Sequence, residues 1–299
     1  MSTKTESVTI EFGHSPTLIK DLLEVTKPRI TIFILMATSV SFYLGSNFSF
    51  DWLLLFNTLL GTAFTAGGTA ALNQYYERDH DSKMDRTKFR PLPSGRVKPI
   101  TILIYGISIS VFGIVYLFFT VNSITSFLAF ATWFSYLFIY TPMKRLTSLN
   151  TLIGAIPGAL PALGGWSAAT GDLDFGAWIL FLIMFFWQFP HFLAIAWLYR
   201  ADYMKGGYSM LSMTEDDGSF ISKQMVLYTF GLLVVSMIPA AFGISGLYYI
   251  VVALILGFAF IWSTVRFAMR RENRFAKTVL YFSFIYPIVL WAFLVLDKQ

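Results

Sequence analysis

The sequence of 299 residues contains no cysteine, which excludes disulfides, iron–sulfur clusters and thiol nucleophiles. Charged residues are also scarce: they make up 13% of the chain, against about 25% in ordinary soluble domains. Hydrophobic residues reach 56%, with 31 phenylalanines among them. A soluble domain of this length could not bury so much apolar surface, so the composition indicates an integral membrane protein.

The first 24 residues lack the features of a targeting peptide. They contain no basic stretch followed by an apolar stretch, and they are not the arginine-rich, acid-poor segment of a mitochondrial transit peptide. We therefore expect residues 1–24 to form a cytoplasmic N-terminal segment and residues 25–299 to form a single transmembrane domain. The absence of both signals favours a bacterial plasma membrane.

Long apolar runs predict the fold class. Several reach the roughly 20 residues that a helix needs to cross about 30 Å of hydrocarbon, where a helix satisfies its own backbone hydrogen bonds. We predict an all-α integral membrane protein with about nine transmembrane helices. These helices are expected near residues 30–44, 52–76, 100–120, 123–140, 149–169, 175–198, 225–242, 247–267 and 279–296.

Positive charges lie almost entirely on one side of this predicted topology. Lysines and arginines precede the first span and follow the even-numbered spans, whereas only Lys298 falls on the opposite side. Because positively charged loops stay in the cytoplasm, we predict the N-terminus inside and the C-terminus outside. The same distribution accounts for the net charge of +5, so the expected partner is the lipid bilayer and no nucleic acid.

The predicted inner loops are long and the outer loops are short. The two longest inner loops, at about residues 77–99 and 199–224, are expected to carry the active site, because long polar loops usually carry function. They lie four spans apart, which indicates two pseudo-repeated four-helix halves. The glycine- and proline-rich run at 154–166 permits close helix packing and a roomy interior, so we expect a central apolar cavity between the halves.

Polar residues recur every four positions at the end of the second span, at Asn73, Glu77, Asp81 and Asp85. On a helix this spacing places them along one face, about 6 Å apart, where stacked carboxylates repel each other. A cation removes that conflict, and oxygen ligands suit Mg²⁺, which takes one or two carboxylates and completes its shell with substrate phosphates. The following Arg86 and Arg90 would hold the same phosphates.

A solvated helix end whose acids pair with neighbouring bases would show a similar pattern. Asn73 and Glu77, however, continue an otherwise apolar span, where polar side chains are unfavourable and usually functional. The ladder of Asn73, Glu77, Asp81 and Asp85 therefore predicts a site for a metal–diphosphate complex.

A second polar group lies around the end of the sixth span. Gln188 and His191 stand within an apolar run that also contains Pro190. A buried histidine of this kind is either a hydrogen-bonded core residue or a ligand or base. Asp202 and Lys205 follow. They either form a surface ion pair, or Asp202 binds a second Mg²⁺ ion and Lys205 contacts a phosphate.

Four further cations are expected at the same end of the bundle: Lys27, Arg29, Lys144 and Arg145. Each alone is typical of an anchor at the membrane interface. Together they predict a basic rim around an acidic centre, at the mouth of an apolar bundle. The fitting substrate is an isoprenoid diphosphate, because metal and cations would stabilise the charge of the departing diphosphate and leave an allylic carbocation.

Several strings in the chain resemble those of the UbiA-type intramembrane prenyltransferases, and most closely their heme O synthase branch. The family pattern of asparagine followed by acids four and eight residues later matches Asn73, Glu77 and Asp81. The resemblance runs over nearly the whole chain, from Lys27 to Tyr286. Strings typical of the branch lie at residues 84–92, 140–145, 187–192, 202–203 and 210–211.

The resemblance implies transfer of a farnesyl group from farnesyl diphosphate to the 2-vinyl group of heme B, which gives heme O, with Mg²⁺ as cofactor. The residues and the resemblance together assign catalytic roles to Asn73, Glu77, Asp81, Asp85 and Lys144. They assign diphosphate binding to Lys27, Arg29, Arg86, Arg90, Lys144, Arg145 and Lys205. The expected metal ligands are Asn73, Glu77, Asp81 and Asp202.

The second motif departs from the pattern of the wider family. Many relatives place two acids where this chain has Gln188 and His191, so a second metal site stays open. We hypothesise that His191 contacts the heme, as axial ligand or as partner of a propionate. Gln188, Asp202 and Tyr203 are the further candidates for this region.

Two other functions remain open from the sequence. The first is a prenyltransferase that acts on a quinone precursor or another aromatic acceptor. The mass of the product formed when each acceptor is offered would distinguish it from an enzyme that acts on heme. A secondary transporter would also suit paired halves and broken helices, but its polar groups would lie at the midplane of the membrane. Magnesium-dependent release of diphosphate distinguishes enzyme from carrier. A heme A synthase or a terminal oxidase stays open as a protein partner.

Overall fold

The computed structural model describes residues 18–46, 50–211 and 217–299. Within these ranges nine helices are long and apolar enough to cross a membrane, which confirms the predicted class and number. We number them as spans 1 to 9: Pro28–Gly45, Trp52–Asp81, Pro99–Thr120, Ser123–Leu146, Asn150–Thr170, Phe175–Leu198, Ser219–Ala241, Leu247–Arg270 and Asn273–Leu296.

Four spans extend five or six residues beyond the predicted apolar runs, all at the end of the bundle that the charge distribution predicts to be cytoplasmic, here called the inner end. Span 2 continues from residue 76 to Asp81, span 4 continues from residue 140 to Leu146, span 7 begins at Ser219, and span 9 begins at Asn273. Hydropathy detects the part of a helix that lies in hydrocarbon, whereas the backbone hydrogen bonds continue into the polar interface. The extra turns carry the polar residues of the inner end.

Two short helices complete this end, Leu18–Val25 before span 1 and Arg200–Gly206 after span 6. The first is fixed by Arg96, whose guanidinium lies 2.8 Å from Asp21 and 3.0 Å from Glu24. Residues 18–24 of the expected N-terminal segment thus belong to this helix, and residues 1–17 lie outside the described part of the chain.

Spans 2 and 3 pack through glycines spaced seven residues apart. Each glycine receives a side chain of the other helix, in the antiparallel pairs Gly61–Leu117, Thr65–Gly113, Gly68–Ser110 and Leu72–Gly106. A β-carbon added to Gly68 would overlap the Ser110 hydroxyl and lie 2.7 Å from the Gly106 carbonyl oxygen. The two backbones therefore approach closely, as small residues allow between membrane helices.

Replacing Gly68 by alanine should separate spans 2 and 3 and destabilise the protein by about 1–3 kcal/mol, the usual effect of overpacking. The matched control is Gly164→Ala in span 5, because a β-carbon there meets nothing within 4 Å. That change should be neutral or stabilising, since alanine favours a helix more than glycine does. Thermal unfolding of both variants in the same detergent tests the difference, and equal transition temperatures would contradict the proposed close packing.

The far end of the bundle is closed by the C-terminal residues. The Lys298 ammonium donates to the carbonyl oxygens of Tyr43 and Ser46 at the end of span 1. Asp297 accepts a hydrogen bond of 2.7 Å from the Tyr249 amide at the start of span 8. Lys298 thus lies at the end of the bundle opposite to Lys27, which agrees with an odd number of spans.

The apolar core lies mainly among spans 5 to 9, where Tyr249, Phe260, Phe267 and Tyr286 are fully buried. The space bounded by spans 1, 2, 4, 5 and 6 is instead a cavity. The expected central apolar cavity is therefore confirmed, and prolines inside span 5, at Pro157 and Pro161, border it.

Candidate active site

The cavity has a volume of about 540 Å³ and a mostly apolar lining. Lys27 and Arg29 line its inner end, and Leu117 lines its outer end. Ile30 of span 1 and Phe284 of span 9 line it too, and both side chains are partly exposed. Spans 1 and 9 therefore also border the cavity.

Charged and polar side chains meet at the inner end of this cavity. The Lys27 ammonium donates to the Asn73 amide oxygen at 3.0 Å, and the Lys144 ammonium donates to Glu77 at 2.8 Å. Arg90 reaches back from the loop to Asp81, with 2.7 Å between guanidinium and carboxylate. Three predicted polar residues of span 2 thus each hold a predicted cation. We call this set of six residues the inner cluster.

A π-helical turn in span 4, Ser135–Tyr140, shapes the wall beside the inner cluster. The Thr141 hydroxyl donates to the Tyr136 carbonyl oxygen at 2.8 Å and accepts from the Asn73 amide at 3.1 Å. Tyr136 and Tyr140 line the cavity, and the absent side chain of Gly154 leaves room for the Tyr140 ring. Single π turns occur mostly at functional sites in helices. Thr141 and Tyr136 were not predicted as site residues.

Lys27 has an unusual backbone and an unusual electrostatic environment. Its φ of 50° lies in the left-handed region, which non-glycine residues rarely occupy outside functional sites and turns. This turn between the N-terminal helix and span 1 directs the side chain to Asn73. Burial lowers the pKa of Lys27 to about 7, and the positive charge of Arg90 acts in the same direction.

The ladder on span 2 is shorter than predicted. The helix ends at Asp81, so Asp85 does not continue the helical face, and the expectation of four ladder residues on one helix is wrong at its last position. Asp85 is 59% exposed and lies 2.6 Å from Lys205 and 2.7 Å from Lys88. Hydrogen bonds from Lys205 and then Lys88 lower the pKa of Asp85 to about 2.

The two long inner loops contact each other beside the inner cluster. Both carboxylate oxygens of Asp202 accept backbone N–H groups, from Asp85 at 3.2 Å and from Arg86 at 3.1 Å. The Arg86 guanidinium lies over the rings of Tyr199 and Tyr203, at 5.2 Å and 5.9 Å. Asp202 therefore orders the basic loop in this structure instead of joining Glu77 and Asp81.

Arg145 is joined to the same loops through a histidine that the sequence reasoning missed. Arg145 donates to His80 Nε2 at 3.0 Å, and His80 Nδ1 lies 2.7 Å from the Gly206 carbonyl oxygen. His80 lies inside the acidic string but off its four-residue spacing, so the ladder pattern did not identify it. Of the acidic run at 215–217, Glu215 and Asp216 lie outside the described residues, and Asp217 pairs with Arg271 at 2.9 Å.

Within residues 18–46, 50–211 and 217–299, no group of three histidine or acidic side chains is placed to hold a metal ion. One carboxylate oxygen of the inner cluster, Asp81 Oδ1, is nevertheless buried and makes no hydrogen bond. Glu77 and Asn73 supply further oxygens, about one and two turns earlier on span 2. This set fits a Mg²⁺ ion that takes few protein ligands and completes its shell with water and phosphate oxygens.

His191 faces the cavity from span 6 in a fixed orientation. Its ring stacks on Trp187, with 5.2 Å between centroids, and its Nδ1 lies 2.8 Å from the Ser283 hydroxyl. That hydroxyl donates to the Leu280 carbonyl oxygen at 2.6 Å, so its oxygen accepts from His191 Nδ1–H. The network thus leaves a lone pair on His191 Nε2.

Gln188 lies one turn before His191 on span 6 and also lines the cavity. Its amide nitrogen donates to the carbonyl oxygens of Ala155 at 3.1 Å and Met184 at 3.0 Å. Its oxygen lies against Gly158, where a β-carbon would overlap it. Gln188 therefore joins spans 5 and 6 within the second polar group of the sequence.

The model of the UbiA prenyltransferase family matches residues 34–288. The protoheme IX farnesyltransferase of Solibacter usitatus is 44% identical, over 94% of this chain and 99% of its own. The protoheme IX farnesyltransferase of Salinibacter ruber is 42% identical, over 94% of this chain and 99% of its own. That of Aquifex aeolicus is 38% identical, over 96% of this chain and 98% of its own.

Solved structures of two membrane proteins share the fold. A digeranylgeranylglyceryl phosphate synthase superposes with a TM-score of 0.78 at 17% identity, over 93% of this chain and 98% of its own. A UbiA homologue from Archaeoglobus fulgidus, bound to GPP and Mg²⁺, superposes with a TM-score of 0.66 at 14% identity, over 92% of this chain and 99% of its own.

Proposed function

The chain belongs to the UbiA prenyltransferase family, and we propose that it transfers a farnesyl group from farnesyl diphosphate to the 2-vinyl group of heme B, giving heme O. The relatives named above, which share 38–44% of their residues with it over nearly their full length, carry the name of this reaction. The observation that carries the proposal is the inner cluster, in which three cations gather at the end of an apolar cavity, an arrangement that suits a charged headgroup with an apolar chain.

The diphosphate of the donor binds at the inner cluster in this proposal. Lys27, Arg90 and Lys144 are already gathered there, each on an oxygen of span 2. A diphosphate beside Lys27 would raise its pKa and so favour the charged form. The remaining cations proposed to contact or attract the diphosphate lie at the cavity mouth or on the loops: Arg29, Arg86, Arg145 and Lys205.

Asn73, Glu77 and Asp81 are the residues proposed to hold Mg²⁺, because their oxygens share one face of span 2 and Asp81 Oδ1 lacks a partner. When bound, the ion supplies Lewis-acid stabilisation of the charge that develops on the diphosphate. Asp202, the fourth ligand expected from the sequence, and Asp85 are occupied on the loop side. Their role in this proposal is to hold Arg86 and Lys205 near the diphosphate.

The bond between C1 of the farnesyl group and the diphosphate oxygen breaks, and its electron pair leaves with the diphosphate. Lys27 and Lys144 stabilise that charge in a site with little water. The rings of Tyr136 and Tyr140 face the cavity beside Lys144 and can stabilise the allylic cation. The terminal vinyl carbon of heme then bonds to C1, and water adds to the neighbouring carbon and loses a proton.

Heme B is proposed to bind at His191, through its iron. A propionate would need an N–H donor, whereas the Ser283 contact leaves His191 Nε2 with a lone pair. A ligating histidine usually donates its other N–H to a fixed acceptor, which sets the orientation of the ring, as Ser283 does here. Phe284 and Trp187 beside His191 supply apolar surface for the macrocycle.

We expect His191→Ala to weaken heme B binding at least 100-fold and Ser283→Ala to weaken it about 10-fold, because the second change frees only the orientation of the ring. Absorption spectra of the purified protein titrated with heme B measure both effects. Added imidazole should restore the spectrum of the His191→Ala complex.

The control for the heme titration is His80→Ala, which removes the other histidine of the described residues, at the loops. Its heme spectrum should match that of the unchanged protein. An unaltered heme affinity and spectrum for His191→Ala would remove iron ligation from the proposal.

The direct test of the reaction is extraction of hemes from bacterial membranes with and without this protein, followed by mass analysis. A species heavier than heme B by one farnesyl group and one hydroxyl group is expected only with the protein and Mg²⁺. Offering a hydroxybenzoate or naphthoate acceptor in parallel tests the quinone alternative, and a prenylated product from that acceptor alone would overturn the proposal.

The nine apolar helices place the chain in a membrane, and we propose the bacterial plasma membrane with the inner cluster on the cytoplasmic side. The basic residues of the loops at this end support that orientation. Heme O released into the bilayer would be available to an enzyme that oxidises it further or to an oxidase that incorporates it. A heme A synthase or a terminal oxidase is therefore a proposed partner.

A further inference from the structure

The cavity extends from the inner cluster along one face of span 2 toward the outer end of the bundle, and we call this part the tube. One stripe of span 2 lines it, at positions spaced by three and four residues, as expected for a single helical face: Thr62, Thr65, Ala66, Thr69 and Ala70. These side chains are small, and Thr65 and Thr69 bond their hydroxyls to the carbonyl oxygens of Gly61 and Thr65. The wall therefore presents methyl groups, which suit an isoprenoid chain.

Leu117 and Leu128 line the outer end of the tube and are buried. Leu117 is seated on span 2 where Gly61 has no side chain, since a β-carbon at Gly61 would lie 2.5 Å from Leu117 Cγ. The position of the leucine is thus fixed by the same close packing that joins spans 2 and 3.

Hydrogen bonds join the helices near the two leucines, and Thr125, which makes one of them, also lines the cavity. Thr125 and Ser167 join their hydroxyls at 2.9 Å, and the Asn122 amide donates to the Ser167 carbonyl oxygen at 2.8 Å. These bonds connect the start of span 4 to span 5. The outer end of the cavity is therefore held together by helix packing and by these hydrogen bonds, and we call it the floor.

The depth of the tube matches one chain length. Thr62 lies eleven residues from Asn73 on span 2, which is roughly 16 Å at the rise of a helix. A farnesyl group has a main chain of twelve carbons, and bonds of about 1.5 Å in a zigzag extend it to roughly 14 Å. One more isoprene unit would add roughly 5 Å, about one turn of helix, and would bring the chain onto Leu117.

We propose that Leu117, seated on Gly61, sets the longest prenyl chain that this enzyme accepts, so that a fifteen-carbon donor fits and a twenty-carbon donor meets the floor. The proposal rests on the proposed function, because it requires the diphosphate at the inner cluster. It makes Leu117 a specificity residue at the end of the cavity opposite to the reacting atoms.

Truncation of Leu117 tests the proposal. In the Leu117→Ala variant, kcat/KM for geranylgeranyl diphosphate relative to farnesyl diphosphate should rise about 10-fold, since a few methylene groups in an apolar pocket discriminate by this factor or more. Heme B is the acceptor, and the mass of the product identifies the chain transferred. Leu232→Ala is the matched control: Leu232 is fully buried in span 7, does not line the cavity, and should leave the donor ratio unchanged.

A second variant covers the case in which Leu117→Ala does not fold. Ala66 faces the tube seven residues from Asn73, roughly 10 Å along the helix. Ala66→Leu fills the tube there, so it should shift the preference from farnesyl to geranyl diphosphate.

Three outcomes of these measurements are distinguishable. If both variants kept the donor preference of the unchanged enzyme, the proposed role of Leu117 would be overturned. The proposed function would still stand, provided that the unchanged enzyme farnesylates heme. Absence of a prenylated heme with any donor would overturn the function itself. A shift toward geranylgeranyl diphosphate in Leu117→Ala together with a shift toward geranyl diphosphate in Ala66→Leu supports the proposed role of Leu117.

Discussion

Asp81→Asn is expected to reduce formation of the farnesylated heme by about 100-fold or more, the usual effect of removing one electrostatic contact to a charge that develops in the transition state. Asparagine keeps the size of the side chain and an oxygen that can still accept from Arg90. It removes the negative charge and the carboxylate oxygen that is buried without a partner, Oδ1. The variant should therefore insert and fold normally while losing its response to magnesium.

The measurement is the rate of diphosphate release at increasing Mg²⁺ concentration, in detergent or in vesicles that contain heme B and farnesyl diphosphate. Asp79→Asn is the matched control, because Asp79 lies on the same helix, its side chain is 79% exposed, and its carboxylate lies 3.6 Å from Arg78. That variant should keep the full rate. A rate for Asp81→Asn within tenfold of the unchanged enzyme would discredit the metal assignment on span 2.

The sequence was sufficient for the topology because the bilayer imposes strong constraints on it. Hydrocarbon requires a long apolar helix for every crossing, and each of the nine predicted spans overlaps an observed one. The cations that the topology placed on one side, such as Lys27, Arg90 and Lys144, indeed meet at one end of the bundle, and Lys298 lies at the other. The distribution of charge among the loops therefore predicted which cations gather at the same end of the bundle.

The partners of the predicted residues could not be read from the sequence in the same way. A spacing of four residues identified Asn73, Glu77 and Asp81, but it gave no signal that span 2 ends before Asp85. The pairing of cations with acids depends on how the loops fold back. Arg90 contacts Asp81, 9 positions earlier, and Lys205 contacts Asp85, 120 positions earlier. Thr141 reaches Asn73 only because of a π turn, which leaves no composition signal.

The close packing of spans 2 and 3 leaves a signal in the spacing of glycines. Gly61 and Gly68, and likewise Gly106 and Gly113, are spaced by seven residues, which places each pair on one helical face. In an antiparallel hairpin such pairs are typical of an interface of small residues. The pattern does not indicate which side chain fills each gap, so the position of Leu117 at the cavity floor follows only from the packed helices.

Lys144→Met is expected to have two separate effects, one on catalysis and one on stability. The ammonium is proposed to stabilise the departing diphosphate, so its loss should lower the rate about 100- to 1,000-fold. The same change removes the hydrogen-bonded partner of Glu77, whose side chain is only 9% exposed, and breaking a buried pair in this way typically destabilises a protein by about 3–5 kcal/mol. A loss of activity alone would therefore not distinguish a catalytic lysine from a structural one.

The double variant Glu77→Gln, Lys144→Met separates the two effects, because it removes both charges of the pair. Replacing a buried ion pair by uncharged residues of similar size is often neutral, so thermal unfolding should return close to that of the unchanged protein. Activity should stay at the level of Lys144→Met or below it. Arg271→Met breaks the exposed pair with Asp217, at 38% and 63% exposure, and should change stability by less than about 1 kcal/mol. If the double variant recovered both stability and turnover, Lys144 would serve only to neutralise Glu77, and the diphosphate would have to be bound elsewhere.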